Sequence, residues 1–212
     1  MYVDPKETKA GNLYKLLIGA ITPRPIAFVS TVSESGINNL APYSFFTGVS
    51  ASPPIIGFSP MINREGRMRD SRLNAEAYEE FVVNVVSEEF VEQMNATAVD
   101  VPPEVDEFEL SGLTPAPSKV VKPPRVAEAH VSMECRLFKV VEIARETLSG
   151  AFVMGEVVQF HIDDEVVDDF RLDPDKLNTV GRMGGVSYTR TRDRFELDRP
   201  DLAAVMRELA AK

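Results

Sequence analysis

Between residues 26 and 58 the chain runs through one apolar extended stretch after another, with only turns and prolines between them. IAFVSTV reads as a buried strand, and the Ser-, Gly- and Asn-rich turn SESGINN returns it hairpin-like into LAPYSFFTGVS. Pro53 and Pro54 punctuate the chain, and IIGFSP follows as a second short buried strand. FVVNVVS is a third, rich in β-branched residues. Strands that accumulate before a helix separates them are not the regular βαβα order of a doubly wound sheet. They suit a mainly β fold, a closed or partly closed antiparallel barrel with few, peripheral helices.

The rest of the chain agrees. GNLYKLLIGAI carries Leu13, Leu16, Leu17 and Ala20 on one side of a helix that must stop before Thr22-Pro23-Arg24-Pro25. NREGRMRDSRLN is a polar, basic loop leading into a helix that Asp70 or Ser71 is expected to cap. EEFVEQMNATA is a short helix. In HVSMECRLFKVVEI, alternation places Val131, Met133, Cys135 and Leu137 on one face and Ser132, Glu134 and Arg136 on the other. AFVMGEVVQFHI pairs with it after a turn at Ser149-Gly150. DRPDLAAVMRELAAK is a C-terminal helix at about 199–211, with Asp198 as its cap and Pro200 near its first turn. Residues from about 99 to 124 are broken by six prolines and read as a long loop, the kind that serves as a lid, a binding loop or an arm. A linker between two domains is the other reading.

The charge balance narrows the partners. Formal net charge is -10, from 33 acidic and 23 basic side chains. That balance argues against nucleic acid and against an anionic membrane surface. No apolar run approaches the roughly 20 residues that span a bilayer. The single cysteine, Cys135, permits no intrachain disulfide, so a cytoplasmic location is expected. With two histidines besides, the chain has no conventional zinc ligand set.

Nucleophile elbow, Walker A loop and G-x-G-x-x-G fingerprint are all missing, and Gly181, Gly184 and Gly185 read as turn glycines. An enzyme built this way borrows its reactive group. Three features suggest which kind. Arg24 precedes the first strand and Ser30-Thr31 end it. Tyr43, Ser44, Phe45, Phe46 and Thr47 combine amides, hydroxyls and rings in a way that suits a flat heteroaromatic ligand. Arg64, Arg67, Arg69 and Ser71 sit at a helix start, a good phosphate cradle. Each has a plainer reading as core, strand end or solvated face.

Taken together, ITPRPIAFVST, NLAPYSFFTGVSASPPIIGFSP, GRMRDSRLN, EFVVNVVSEE, QMNATAVDVPPEVDEFELSGLT, ECRLFKV and GEVVQFHID resemble the flavin reductase-like family, which includes flavoredoxins and the reductase components of two-component monooxygenases. The resemblance covers roughly residues 20 to 165. It implies that 1–212 is one domain, an antiparallel FMN-binding split β-barrel of Greek-key type, working as a homodimer with non-covalent FMN near the interface. By position it implies that Ser30 and Thr31 lie near the flavin. Tyr43, Ser44, Phe45 and Phe46 would lie along the isoalloxazine and ribityl chain, and Ser59, Arg67, Arg69, Asp70 and Ser71 around the phosphate. Arg24 is a phosphate or dimer contact. RDS stands where relatives often carry lysine, aspartate and threonine, which keeps cation and hydroxyl. The implied activity is NAD(P)H-dependent flavin reduction, with a monooxygenase or other electron acceptor downstream. The alternatives are a flavoredoxin-like carrier that never meets nicotinamide, and a member binding haem or a deazaflavin.

Overall fold

The computed structural model describes residues 1–210. The strands are β1 (Ala27–Val32), β2 (Asn38–Tyr43), β3 (Phe46–Ala51), β4 (Pro54–Phe58), β5 (Glu80–Val85), β6 (Pro115–Ala116), β7 (Arg125–Val126), β8 (Val131–Glu142), β9 (Ala151–Ile162), β10 (Val167–Asp168), β11 (Arg171–Leu172), β12 (Val180–Arg182) and β13 (Tyr188–Arg190). The helices are α1 (Ala10–Ala20), α2 (Asp70–Tyr78), α3 (Val91–Ala96), α4 (Glu107–Ser111), α5 (Pro174–Leu177) and α6 (Leu202–Ala210).

Seven strands form one sheet in the order β2-β1-β5-β8-β9-β4-β3, and every neighbouring pair is antiparallel. β2 and β3 are therefore its two edges. Yet only Ser44 and Phe45 separate them in the chain. A flat sheet of this width would set its edges roughly 29 Å apart, whereas that link reaches roughly 11 Å. The sheet must curl until its edges approach, which makes a barrel split along the β2–β3 seam.

β1 is buried on both faces. Ala27 and Val29 join Phe58, Phe81, Val83, Cys135 and Val153 in one core. Phe28 joins Leu40, Phe90, Met94, Phe108 and Leu113 in the other.

Several expectations are corrected. On β8 the face that carries Ser132 and Glu134 is as sealed as the face that carries Cys135, and register shifts fall after Glu134 and Leu137. The polar side is covered by the segment at 117–124, whose Lys119, Val120 and Val121 N–H groups donate to the Glu134 carboxylate. The 99–124 segment is not plain loop. It contains α4, capped by the Asp106 side chain and ended by Gly112 at φ 71°, and it places Phe108 and Leu113 in the core. α1 forms as expected, but none of its residues is buried. Neither Asp70 nor Ser71 caps α2; Arg69 holds that position with no side-chain bond. Gly181 lies inside β12, where a Cβ would come within 3.1 Å of Pro23, so it serves close approach; Gly184 and Gly185 make the turn that follows. α6 starts at Leu202, beyond Asp198 and Pro200. Position 211 of the expected helix lies outside the described residues.

Candidate functional site

The seam opens into a cleft. Its walls come from β2 and the β2–β3 link (Asn39, Ala41, Pro42, Tyr43, Ser44, Phe45), the start of α2 with its approach (Arg67, Arg69, Asp70, Ser71), and Ser59 and Met61 after β4. The segment from Thr97 to Val101 and Glu107 of α4 close the remaining side.

One end is charged. Arg69 pairs with Asp100, and Arg67 Nη2 donates to Asp70 at 2.9 Å and to the Val101 carbonyl at 3.0 Å. No described side chain caps α2, so the first-turn N–H groups of Asp70 and Ser71 carry the positive end of the helix dipole into this wall. The other end is apolar and aromatic. Tyr14 and Phe45 meet at 6.5 Å between centroids, with Met61 against them and Pro42 in the same wall.

A polar relay underlies the middle. Tyr43 Oη donates to Ser71 Oγ at 3.0 Å, and Ser71 Oγ donates to Asn39 Oδ1 at 2.8 Å. Asn39 Nδ2 donates to the Glu107 carboxylate. Burial pushes the Tyr43 phenol up to about 12, against smaller lowering effects of the Ser71 bond and Arg69. Tyr43 is therefore neutral and a donor at ordinary pH.

Eight of the residues singled out in the sequence converge on this cleft: Tyr43, Ser44, Phe45, Ser59, Arg67, Arg69, Asp70 and Ser71. Six do not line it, of which Thr47 and Arg64 are simply exposed. Arg24, 3% exposed, donates to the carbonyls of Ile18 (2.6 Å), Ile21 (2.7 Å) and Met183 (2.9 Å) and to Ser44 Oγ (3.2 Å). Its donors are turned to the end of α1 and the turn after β12, so it ties these to the seam. Ser30 Oγ donates to the Pro124 carbonyl at 2.5 Å. Thr31 Oγ1 reaches Asn39 from behind the wall at 3.2 Å. Phe46 packs on the core of Phe58 and Phe81. The sequence reading passed over Asn39, Asn63, Asp100 and Glu107. Only Glu107 carried a local signal, the Asp106 cap and Gly112 stop around EFELS.

A model of the flavin reductase like domain matches residues 19–178. The chain belongs to that family. Nitrilotriacetate monooxygenase component B from Bacillus cereus superposes on this flavin reductase-like chain with a TM-score of 0.88 at 36% identity, over 93% of this chain and 98% of that one. The 2-nitrobenzoate 2-nitroreductase NbaA of Pseudomonas fluorescens gives 0.85 at 30% identity, over 95% and 98%. An uncharacterized protein of Aquifex aeolicus (strain VF5) is 42% identical over 186 residues, 87% of this chain and 93% of that protein. Among the described residues no helix is long and apolar enough to cross a membrane.

Proposed function

We propose that this flavin reductase-like chain is an oxidoreductase that binds FMN non-covalently in the seam cleft and reduces it with NAD(P)H. The observation that carries the reading is the polarity gradient along one cleft. Two arginines and an uncapped helix start stand at one end, and Tyr14, Phe45, Pro42 and Met61 at the other. The residues fit a phosphorylated tricycle. The uncapped N–H groups of Asp70 and Ser71, with Arg69, offer charge-assisted donors for a phosphate. The apolar walls suit a planar ring, and the backbone of the β2–β3 link supplies polar groups for its edge.

Flavin held there would supply the two-electron chemistry, with a nicotinamide as the hydride donor. The chain's own residues do the rest. Arg69 and the α2 start would hold the charged tail, Phe45 and Met61 would exclude water from the ring end, and Tyr43 keeps its proton and donates it in a hydrogen bond to Ser71. No side chain has to move a proton for hydride transfer, consistent with a wall whose phenol is neutral.

We place this activity in a homodimer, supported by apolar surface left open on β8 and β9, where Phe138, Val158, Phe160 and Ile162 stand exposed, and on α1 at Leu16 and Leu17. A monooxygenase partner is suggested by the name of the Bacillus cereus neighbour. The whole chain would act as one domain.

The test is the absorption spectrum of the purified protein, followed by anaerobic mixing with NADH and with NADPH. A yellow protein that releases FMN and bleaches with a nicotinamide supports the proposal. A protein that takes up no added FMN at micromolar levels rejects it. FMN retained but never bleached makes it an electron carrier instead.

A further inference from the structure

Glu107 borders the cleft, and the proposed activity gives it no part. The residue is 5% exposed. Asn39 Nδ2 donates to its two oxygens at 3.0 and 3.1 Å, and the Leu40 N–H donates to one of them at 2.9 Å. This fixes which way round the Asn39 amide sits. An ionised carboxylate only accepts, so Asn39 must turn its NH2 toward Glu107 and its oxygen away. There Asn39 Oδ1 accepts from Ser71 Oγ at 2.8 Å and from Thr31 Oγ1 at 3.2 Å. Ser71 Oγ accepts in turn from Tyr43, and Thr31 Oγ1 from Asn74 Nδ2, each at 3.0 Å. A hydroxyl has one proton. With Glu107 ionised, the Ser71 proton is committed to Asn39 and is withheld from an anion in the cleft.

A proton on Glu107 lifts that constraint. The acid donates to the Asn39 oxygen once the amide turns over, and the Asn39 NH2 then donates to Ser71 and Thr31. Ser71, which lines the cleft wall but is itself 0% exposed, still accepts from Tyr43, and its own proton is then free to turn toward the cleft. The reversal ends at Asn74, which is half-buried and turns its amide to accept from Thr31. The chain leaves no buried polar group stranded in either arrangement.

We infer that Glu107 is a positioning residue which, through Asn39, sets the direction of the Ser71 hydroxyl, so that a ligand phosphate is bound together with a proton taken up by Glu107. The inference rests on reading the cleft as an FMN site.

The surroundings favour that proton. Burial is the largest influence and Asp70 adds to it. The Leu40 N–H and Asn39 oppose them, and the net effect holds Glu107 above the usual carboxylate range. On its own helix, Glu109 is exposed, and Asp106, beside the helix, accepts from Asn38 Nδ2 at 2.8 Å. On β2 only Tyr43 titrates, and it stays neutral. Glu92 of α3 lines a different groove with Tyr188. Arg67 and Arg69 already face Asp70 and Asp100.

Calorimetry of the intact protein with FMN and with riboflavin, in buffers of different ionisation enthalpy and at several pH values across which the protein stays folded, reads the protons taken up. FMN is expected to bind with more proton uptake than riboflavin. Its advantage over riboflavin should shrink about tenfold per pH unit above the Glu107 pKa. The phosphate's own ionisation near pH 6 is common to every variant. Glu107→Gln should lose the extra uptake. Ser71→Ala, with no hydroxyl proton to release, should lose it too and keeps the test alive should the glutamine variant fail to fold. Wild-type uptake in Ser71→Ala, or equal uptake for the two flavins in the wild type, overturns the inference while leaving the FMN site standing. Binding of neither flavin overturns the site and the inference with it.

Discussion

Arg69 and Asp100 form an ion pair at the mouth of the cleft, joining the residue before α2 to the proline-rich segment. Asn63 Nδ2 holds the other Asp100 oxygen at 3.3 Å, and Arg67 ties the next residue through the Val101 carbonyl. The cation best placed for a ligand phosphate therefore already carries a carboxylate. A phosphate must displace Asp100 or share the guanidinium with it.

That arrangement makes opposite predictions for the two partners. Arg69→Ala should weaken FMN by roughly 10- to 100-fold, the range set by a charge-assisted contact of about 1.5–3 kcal/mol, and should barely affect riboflavin. Asp100→Asn should tighten FMN severalfold by freeing the guanidinium, again with riboflavin unchanged. Flavin fluorescence titration reads both. Weaker FMN binding in Asp100→Asn would mean that Asp100 aims Arg69 rather than competing with its ligand.

Arg24 should behave differently from Arg69. It is buried against three carbonyls and Ser44, and its charge persists although burial lowers its pKa. Arg24→Ala strands these acceptors and should cost about 3 kcal/mol of stability by urea unfolding. At temperatures where the variant is folded, its ratio of FMN to riboflavin affinity should match the wild type. A selective loss of FMN would return Arg24 to the phosphate.

The barrel was legible because its signals are local: β-branched runs, a Ser-Gly-Asn turn and two long strands around Ser149-Gly150. Most of the charged end and the aromatic link of the cleft were legible for the same reason, since Tyr43–Phe45 and Arg67–Ser71 are each contiguous. What escaped was long-range. Whether Ser30 faces a ligand or the Pro124 carbonyl depends on a segment 94 residues away. The burial of Glu134 was not legible, because alternation places it on the face opposite Cys135 but says nothing about what covers that face. Asp100 and Glu107 were hidden by prolines, which masked a helix that buries Phe108.

Cys135 is fully buried in the barrel core, with its thiol pKa pushed up by desolvation and by Glu134. A thiol held neutral and sealed is a poor nucleophile. The folded protein should not react with an aromatic disulfide reagent at about pH 8, and should react at once in denaturant. Cys135→Ser should retain activity while losing about 1–2 kcal/mol, because a hydroxyl takes the place of the thiol in the core. Rapid labelling of the native protein would contradict the placement.

Glu134 gives the fold its acid sensitivity. Burial works against its charge, but the N–H groups of Lys119, Val120 and Val121, together with His161, hold its pKa below the usual carboxylate value. A carboxylate whose folded pKa is depressed contributes stability that is complete above its unfolded value of about 4.3 and is lost as pH falls toward the folded one. Stability should therefore decline below about pH 4 in the wild type and more shallowly in Glu134→Gln. The glutamine variant should start about 1.5–3 kcal/mol lower at neutral pH, having lost charge-assisted acceptors. Hydrogen exchange localises the effect, since the amides of Lys119, Val120 and Val121 should lose protection in Glu134→Gln before the β5–β8 ladder does. Unchanged protection at these three amides would mean that some other contact holds the proline-rich segment to the sheet.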